Sequence, residues 1–179
     1  MKAPRAVILT GERGSGKTML CLALAALSPR YIGLVSPSLL DRAGNRVGFA
    51  ARCLATGGEW VLGRSDAELG GPRFGRFSFS SAGIVRAVDC LRGILSSPPG
   101  AALEPVVIVD EIGPLELDHG EGLAPVLPLL AGSGHLLLVV RPSLVDRVEA
   151  LVPRHERRII EVTPENRTTL ASAIDGWFM

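Results

Sequence analysis

One short stretch near the N-terminus constrains this chain more than any other. Residues 11–18 read Gly-Glu-Arg-Gly-Ser-Gly-Lys-Thr, between an apolar run at residues 6–9 and a glycine-free apolar run at residues 19–27. Glycines adopt backbone angles that other residues resist, so successive N–H groups can turn inward and surround an anion. The spacing of a glycine, four residues and Gly-Lys-Thr between a strand and a helix predicts a phosphate-binding loop, or P-loop.

The residue types of the loop predict the role of each position. The helix behind the loop adds free N–H donors and a partial positive charge at its N-terminus. Lys17 would reach the β- and γ-phosphates of a nucleotide and is predicted to be catalytic, and the hydroxyl of Thr18 would hold Mg²⁺. With two acids from a later strand, the predicted nucleotide-binding residues are Gly11, Glu12, Arg13, Gly14, Ser15, Gly16, Lys17, Thr18, Met19, Asp110 and Glu111.

Two other interpretations of the glycine-rich loop fit less well. A flexible turn before a buried helix would require neither the apolar run before the loop nor the glycine-free run after it, and both are present. The dinucleotide-binding fingerprint requires a third glycine after Gly14 and Gly16, but Lys17, Thr18 and Met19 follow them. The P-loop is therefore the interpretation that we carry forward.

A second apolar run ends in the acids that a P-loop needs. Val-Val-Ile-Val at residues 106–109 is followed directly by Asp110 and Glu111. At the carboxyl end of a parallel strand Asp110 would hold Mg²⁺, directly or through water, and Glu111 would orient or deprotonate the attacking water. Two exposed acids at the end of a strand are common, so this prediction depends on the P-loop. Glu116 is a weaker candidate that would support the same site.

Charge that develops on the transferred phosphate needs a cation, and Arg141 is the leading candidate. It follows the apolar run at residues 136–140 and would lie at the same edge of the sheet as the acids. A surface arginine before Pro142 is the competing interpretation. The weaker candidates are Arg42, Arg46, Arg73 and Arg76. The three histidines are isolated, and we interpret them as structural or surface residues.

Composition limits the classes of function. The 179 residues suit one domain, residues 1–179, with 47% hydrophobic and 21% charged residues. The net charge of +1 and the 4% of aromatic residues argue against nucleic acid or an anionic membrane as a partner. No run predicts a signal peptide or a membrane span. Three widely separated cysteines form no CxxC pair and indicate free thiols in a reducing compartment, so we predict a cytoplasmic protein.

The pattern of strands and helices predicts an α/β fold with a mainly parallel sheet flanked by helices. A β-hairpin with a Gly-Gly turn is inserted after the second strand, at about residues 45–63, and residues 64–76 are expected to be irregular. Predicted strands are 5–10, 31–35, 105–109, 135–140 and 158–162, and residues 77–79 are expected to form a short strand or an extended lead into a helix. Predicted helices begin near residues 16, 81, 123, 142 and 163, with Ser81 and Thr163 as caps of the second and the last.

The chain resembles the THEP-type nucleoside-triphosphatase family, which includes cancer-related nucleoside-triphosphatase. Beyond the P-loop, Gly-Leu-Val-Ser at residues 33–36 and Arg-Val-Gly-Phe at residues 46–49 resemble the family's second strand and hairpin. Asp-Glu-Ile-Gly at residues 110–113 with Glu-Leu at residues 116–117, and Val-Thr-Pro-Glu-Asn-Arg at residues 162–167, resemble two further family runs.

The resemblance implies a RecA-like P-loop fold and Mg²⁺-dependent hydrolysis of nucleoside triphosphates to diphosphate and phosphate. It also implies tolerance of several bases, with ATP, GTP, CTP and UTP as substrates. Met19 stands in place of the family's second threonine and Pro114 in place of a lysine, and neither change removes a phosphate or metal ligand. Glu12 and Arg13 make this loop more charged than is usual in the family.

Two alternatives to hydrolysis stay open at this point. A nucleotide or nucleoside kinase would also use a P-loop, and its acceptor would bind near the hairpin, although the arginine-rich lid that such kinases carry is not evident in the sequence. A nucleotide-gated binding module would use weak hydrolysis only to reset a switch. The sequence does not identify the protein partner of such a module. It also lacks the Asn-Lys-x-Asp motif that would select guanine.

Overall fold

The computed structural model describes residues 3–96 and 104–179, and the strands in this part of the chain form one ten-stranded sheet. The strands are β1 (Arg5–Thr10), β2 (Tyr31–Val35), β3 (Ser38–Leu40), β4 (Arg46–Cys53), β5 (Glu59–Arg64), β6 (Gly70–Phe74), β7 (Phe77–Ser80), β8 (Val106–Ile112), β9 (His135–Val140) and β10 (Glu156–Glu161). The helices are α1 (Lys17–Leu27), α2 (Ser81–Leu95), α3 (Pro114–Leu117), α4 (Leu127–Leu130), α5 (Val145–Glu149) and α6 (Leu170–Phe178). Two 3₁₀ turns, Ala124–Val126 and Pro142–Leu144, lead into α4 and α5.

Half of the sheet is parallel and carries the core. Its strands lie in the order β10-β1-β9-β8-β2, each parallel to its neighbour. The central strands are unbroken apolar runs because both of their faces are covered by helices. Helix α2 packs on one face, and α1 and α6 pack on the other. The predicted α/β fold with a helix-flanked sheet is therefore confirmed.

The inserted part is larger than the predicted hairpin. Strand β4 pairs antiparallel with β2, and β5, β7 and β6 continue the sheet in that order. Strand β3 pairs with the first part of β4, whereas β2 pairs with its end. The prediction that residues 64–76 are irregular is wrong, because Gly70–Phe74 forms β6 against β7. Two glycines and Pro72 give this segment a composition that is unusual for a strand. Proline is tolerated because β6 lies at the sheet edge.

Two predicted helix starts are corrected by local hydrogen bonds. The hydroxyl of Ser80, not that of Ser81, accepts the Gly83 N–H at 3.0 Å and caps α2. The last helix begins at Leu170 rather than after Thr163. The Thr163 N–H donates to the Asn166 side-chain oxygen at 2.9 Å, and such side-chain bonds compete with helix formation.

The two edge strands of the sheet differ in composition from the buried ones. At one edge β10 exposes charged side chains, and at the other edge β6 contains a proline and an exposed arginine. The charged residues of β10 are Glu156, Arg157 and Arg158, and the proline and arginine of β6 are Pro72 and Arg73.

We expect the substitution Gly33→Ala to lower the free energy of unfolding by roughly 2–5 kcal/mol. Gly33 lies in β2 with φ +117°, and a Cβ there would stand 2.2 Å from the Ile108 carbonyl oxygen of the adjoining strand β8. Both the backbone angle and the contact are therefore unfavourable for alanine. Urea unfolding followed by circular dichroism measures the loss.

Gly44→Ala is the matched control for this substitution. Gly44 also has a positive φ, +82°, but a Cβ there meets no atom within 4 Å. For Gly44→Ala the free energy of unfolding should fall only by the cost of a positive φ at a residue with a Cβ, roughly 1–2 kcal/mol. Equal losses in the two variants would show that the contact with β8 contributes nothing.

Candidate active site

The P-loop turns sharply between β1 and α1. Gly11, Gly14 and Gly16 have φ values of +129°, +83° and +105°. Gly16 is the N-cap of α1 and has no side chain that could accept a hydrogen bond. The first N–H groups of the helix can therefore donate to a ligand. A Cβ on Gly11 would stand 2.4 Å from the Val162 carbonyl oxygen, so the close approach of the segment after β10 also requires glycine.

Lys17 is held inside the loop. Its ammonium group donates to the carbonyl oxygens of Gly11 at 2.6 Å and Glu12 at 2.8 Å, and lies 3.4 Å from the Ser15 hydroxyl. Burial lowers the pKa of Lys17, and the nearby carboxylates of Asp110 and Glu111 act in the opposite direction. The lysine of the loop and the acids of β8 therefore lie in one electrostatic site.

Asp110 is the buried acid of this site. It is 3% exposed, and its Oδ2 accepts the Ser36 N–H at 2.9 Å. The Ser36 hydroxyl donates to the Asp110 carbonyl oxygen at 3.2 Å, and the Thr18 side chain also hydrogen-bonds the Asp110 carboxyl group. Burial raises the pKa of Asp110 to about 6, although these bonds act to lower it. Ser36, directly after β2, is a site residue that the sequence argument missed.

Thr18 and Asp110 fit the predicted metal. They offer a hydroxyl and a carboxylate oxygen, which are ligands that Mg²⁺ prefers, and a divalent cation would offset the burial of the Asp110 charge. Within residues 3–96 and 104–179, no three His, Cys, Asp or Glu side chains are grouped to hold a metal ion. A nucleotide-bound Mg²⁺ needs no such group, because phosphates and water supply most of its ligands.

Glu111 has an unusual backbone conformation. Its φ is +75°, the only positive value at a residue other than glycine in the part of the chain that the structure describes. This region is unfavourable for residues with a Cβ, and such strain concentrates at functional sites. The carboxylate is partly exposed, and its Oε1 lies 3.8 Å from the Arg141 guanidinium group. The structure thus places Arg141 beside the acids, at the sheet edge where the sequence predicts it.

Glu116 lies behind the acids and organises the backbone. Its Oε2 accepts the Gly113 N–H at 2.9 Å, and its Oε1 accepts the Leu123 N–H at 3.3 Å. Burial raises its pKa to about 7. Glu116 therefore joins the start of α3 to the loop near Gly122, where a Cβ would stand 2.3 Å from Oε1. This geometry assigns it a supporting position.

Arg46, the first residue of β4, has a charge that acts on the acids of the site. Burial lowers the pKa of Arg46, the charges of Glu111 and Asp110 act to raise it, and Arg13 and Arg76 act to lower it. The guanidinium group lies over the Phe49 ring at 5.5 Å from its centre. Arg46 was a minor candidate in the sequence because nothing there shows that β4 brings its first residue towards β8.

The C-terminal run at residues 162–167 packs against the P-loop. The Val162 N–H donates to the Thr10 carbonyl oxygen at 2.8 Å, which extends the pairing of β10 with β1. A Cβ on Gly16 would stand 2.8 Å from the Arg167 side chain, so this arginine covers the start of α1. The run was recognisable in the sequence, but its contact with the loop was not.

The remaining loop positions differ in exposure. Ser15 is buried, whereas Glu12, Arg13 and Gly14 are exposed and Met19 is 65% exposed. The side chains of Glu12, Arg13 and Met19 therefore face outward, and any part that they play in binding would come from their backbone or from the loop surface.

A cavity of about 60 Å³ lies between the acids and the inserted strands. Its polar lining consists of Ser36, Asp110, Glu111, Glu116 and Arg141, and apolar side chains line most of the remainder. These apolar residues are Phe49, Leu62, Phe74, Phe79, Ile84, Leu115 and Leu123.

The strand–loop–helix with its lysine, and the buried acid on a nearby parallel strand, define the class of P-loop nucleotide-binding α/β proteins. Residues 6–175 match a protein family described as NTPase. The chain is 30% identical over 174 residues to the nucleoside-triphosphatase THEP1 of Thermofilum pendens, covering 94% of this chain and 92% of the relative. It is 31% identical to the nucleoside-triphosphatase THEP1 of Thermococcus kodakarensis, covering 83% of this chain and 83% of the relative. The chain belongs to this THEP1 family of nucleoside triphosphatases.

Solved structures support the fold. THEP1 from Aquifex aeolicus superimposes with a TM-score of 0.70 at 20% identity, covering 97% of this chain and 98% of that one. A human cancer-related nucleoside triphosphatase superimposes with a TM-score of 0.72 at 24% identity, covering 97% of this chain and 96% of that one. The helices among the described residues are all too short or too polar to cross a membrane.

Proposed function

We propose that this enzyme hydrolyses nucleoside triphosphates, ATP, GTP, CTP and UTP among them, to nucleoside diphosphate and phosphate in a Mg²⁺-dependent reaction. The observation that carries the proposal is the placement of the P-loop, with the Lys17 ammonium group inside it, beside the buried Asp110 of β8, whose carboxyl group is hydrogen-bonded by the Thr18 side chain. Family membership supports triphosphate hydrolysis in general, since the curated relatives are named nucleoside-triphosphatase without a particular base.

The loop residues would bind and orient the triphosphate. The N–H groups of the loop and of the first turn of α1 would hold phosphate oxygens, and Lys17 would move from the loop carbonyls to the β- and γ-phosphates. Thr18 and Asp110 would hold Mg²⁺, and the bound cation would supply positive charge that offsets the negative charge of the triphosphate. The Ser36 N–H would keep the Asp110 carboxylate in place.

Glu111 would position and deprotonate the attacking water. Its carboxylate is partly exposed and lines the cavity together with the buried Asp110, and its backbone has a strained positive φ. Arg141, which lies 3.8 Å away, would orient this carboxylate or stabilise charge on the phosphate. Both roles act on the transition state, where such groups have their largest effect on the rate.

The cavity favours water over a larger acceptor. Its volume of about 60 Å³ holds a few water molecules, whereas pockets for small-molecule ligands span roughly 300–1,000 Å³. A nucleoside acceptor next to Glu111 would require displacement of the surrounding apolar side chains. Hydrolysis is therefore a better match to the site than transfer to a nucleoside. The reduced thiols and the net charge of +1 are consistent with a cytoplasmic enzyme without a nucleic-acid partner.

Phosphate release from the four triphosphates, with and without Mg²⁺, tests the proposal. We expect release from all four nucleotides with rates within about tenfold of one another, and loss of release when the metal is removed. Activity with a single base would contradict the broad specificity. Tight nucleotide binding without release, or transfer of phosphate to an added nucleoside, would contradict hydrolysis itself.

We expect Arg46→Gln to lower kcat by about 10²-fold with little change in the affinity for nucleotide. The charge of Arg46 acts on Glu111 and Asp110, so its loss should be felt most where negative charge develops. Arg42→Gln, in the exposed loop before β4, is the control and should leave kcat unchanged. Equal kcat values in the two variants would exclude Arg46 from the mechanism.

A further inference from the structure

We propose that Cys53 and Cys90 are a modification site, in which a hydroperoxide oxidises the two thiols to a reversible intramolecular disulfide and Cys53 reacts first. The proposal concerns a different surface from that of the P-loop and does not depend on the proposed function.

The fold brings two thiols together that are far apart in sequence. Cys53 is the last residue of β4, and Cys90 lies in α2, which packs against β4. Both cysteines are free, and the Cys90 Sγ donates to the Cys53 Sγ at 2.9 Å. The two elements are held independently by the sheet and by the core, so the thiols meet without any rearrangement of the chain.

The surroundings make the two thiols chemically unequal. Burial acts to raise the pKa of Cys53, but hydrogen bonds from Cys90, from the Thr56 side chain and from the N–H groups of Ala55 and Thr56 lower it overall. Burial and the contact with Cys53 raise the pKa of Cys90 to about 12. Since the thiolate is the nucleophile, Cys53 is the thiol prepared for attack and Cys90 is the thiol that retains its proton.

The pair borders a surface pocket, although Cys53 itself is only 3% exposed and Cys90 is half-buried. Both cysteines line a surface pocket of about 460 Å³, together with Trp60, Arg86 and Asp89. The Arg86 guanidinium group lies over the Trp60 ring at 4.4 Å from its centre and its charge acts on Cys90. The pocket is therefore large enough to hold a small hydroperoxide, and the positive charge of Arg86 at its wall acts on Cys90.

The third cysteine lacks these features. Cys21 lies in α1 with no exposed surface, and burial raises its pKa well above the usual value for a thiol. A buried protonated thiol is inert towards oxidants. The chain thus contains its own internal control.

The chemistry is balanced by the peroxide alone. The Cys53 thiolate attacks one peroxide oxygen, an S–O bond forms and the O–O bond breaks, and the other oxygen leaves as an alcohol or as water with a proton from the solvent. The Cys90 sulfur then attacks Cys53, the S–S bond forms, the S–O bond breaks and hydroxide leaves, taking up the Cys90 proton as water. Two thiols are oxidised and one hydroperoxide is reduced. Disulfides of this kind in a reducing compartment are transient and are reversed by thiols.

The test is a titration of the full chain with hydrogen peroxide, followed by alkylation and peptide mass spectrometry. We expect the free thiols, counted by alkylation of the unfolded chain, to fall from three to one as the protein loses the mass of two hydrogen atoms, with Cys53 linked to Cys90 and Cys21 still free. Dithiothreitol should restore all three thiols. Independent oxidation of the two cysteines without a link, or a link between two chains, would overturn the proposal.

Serine variants test the order of the two steps. Cys90→Ser should stop at the sulfenic acid of Cys53, which dimedone traps, and Cys53→Ser should leave Cys90 at least tenfold less reactive than Cys53 is in the natural chain. Cys21→Ser should form the disulfide at the same rate as the natural chain. Rapid oxidation of Cys90 in Cys53→Ser would overturn the assignment of Cys53 as the attacking thiol.

Discussion

Glu111→Gln should lower kcat by about 10²–10⁴-fold while the affinity for nucleotide stays within a few-fold. The amide has nearly the same size and shape as the carboxylate but cannot accept a proton from the attacking water. The phosphate-binding loop and the buried Asp110 are unchanged in this variant, so binding should persist. Steady-state phosphate release and fluorescent-nucleotide titration measure the two quantities separately. An unchanged kcat would remove Glu111 from the mechanism.

Glu111→Gly separates the chemical role of this residue from its backbone role. Glycine adopts φ +75° without strain, so the variant should be as inactive as Glu111→Gln but more stable by roughly 1 kcal/mol. Urea unfolding of both variants measures the difference. If glycine gave no stabilisation relative to glutamine, the backbone at position 111 would not be strained.

Lys17→Ala should lower kcat/KM by about 10³-fold, with most of the loss visible as weakened triphosphate binding. The substitution removes the ammonium group from the loop and leaves Asp110 and Glu111 without their nearest loop cation. Phosphate release and isothermal titration with a non-hydrolysable triphosphate measure the loss. A variant that still bound triphosphate as tightly as the natural chain would contradict the role of the loop.

Lys17→Arg is the matched control because it keeps the positive charge. Lys17 donates to carbonyl oxygens at 2.6 and 2.8 Å in a confined loop, and the larger planar guanidinium group does not fit this arrangement. We therefore expect Lys17→Arg to be impaired almost as strongly as Lys17→Ala. Recovery of most of the activity would mean that charge alone, and not the shape of the ammonium group, is what the loop requires.

The parts of the site that depend on local sequence were predictable. The P-loop is encoded by the spacing of Gly11, Gly16 and Lys17 between two apolar runs, and the acids follow a buried strand directly. In both cases a short segment determines its own backbone path, because glycine angles, strand burial and the start of a helix are properties of neighbouring residues.

The parts that depend on tertiary packing were not predictable. Ser36 bonds Asp110 only because β2 lies next to β8, and the position of Arg46 depends on the pairing of β4 with β2. The start of the last helix was misplaced because the bonds between Thr163 and Asn166 compete with helix formation. The contact between Cys53 and Cys90 has no counterpart in the sequence, where the two residues belong to different predicted elements.

The composition of the two edge strands has a consequence for the behaviour of the protein at high concentration. A sheet of this width presents unpaired backbone groups along both outer strands, and these can recruit strands of other chains into aggregates. Exposed charged side chains on one outer strand and a proline on the other make such recruitment unfavourable. Removing these features should therefore promote aggregation without altering the nucleotide site.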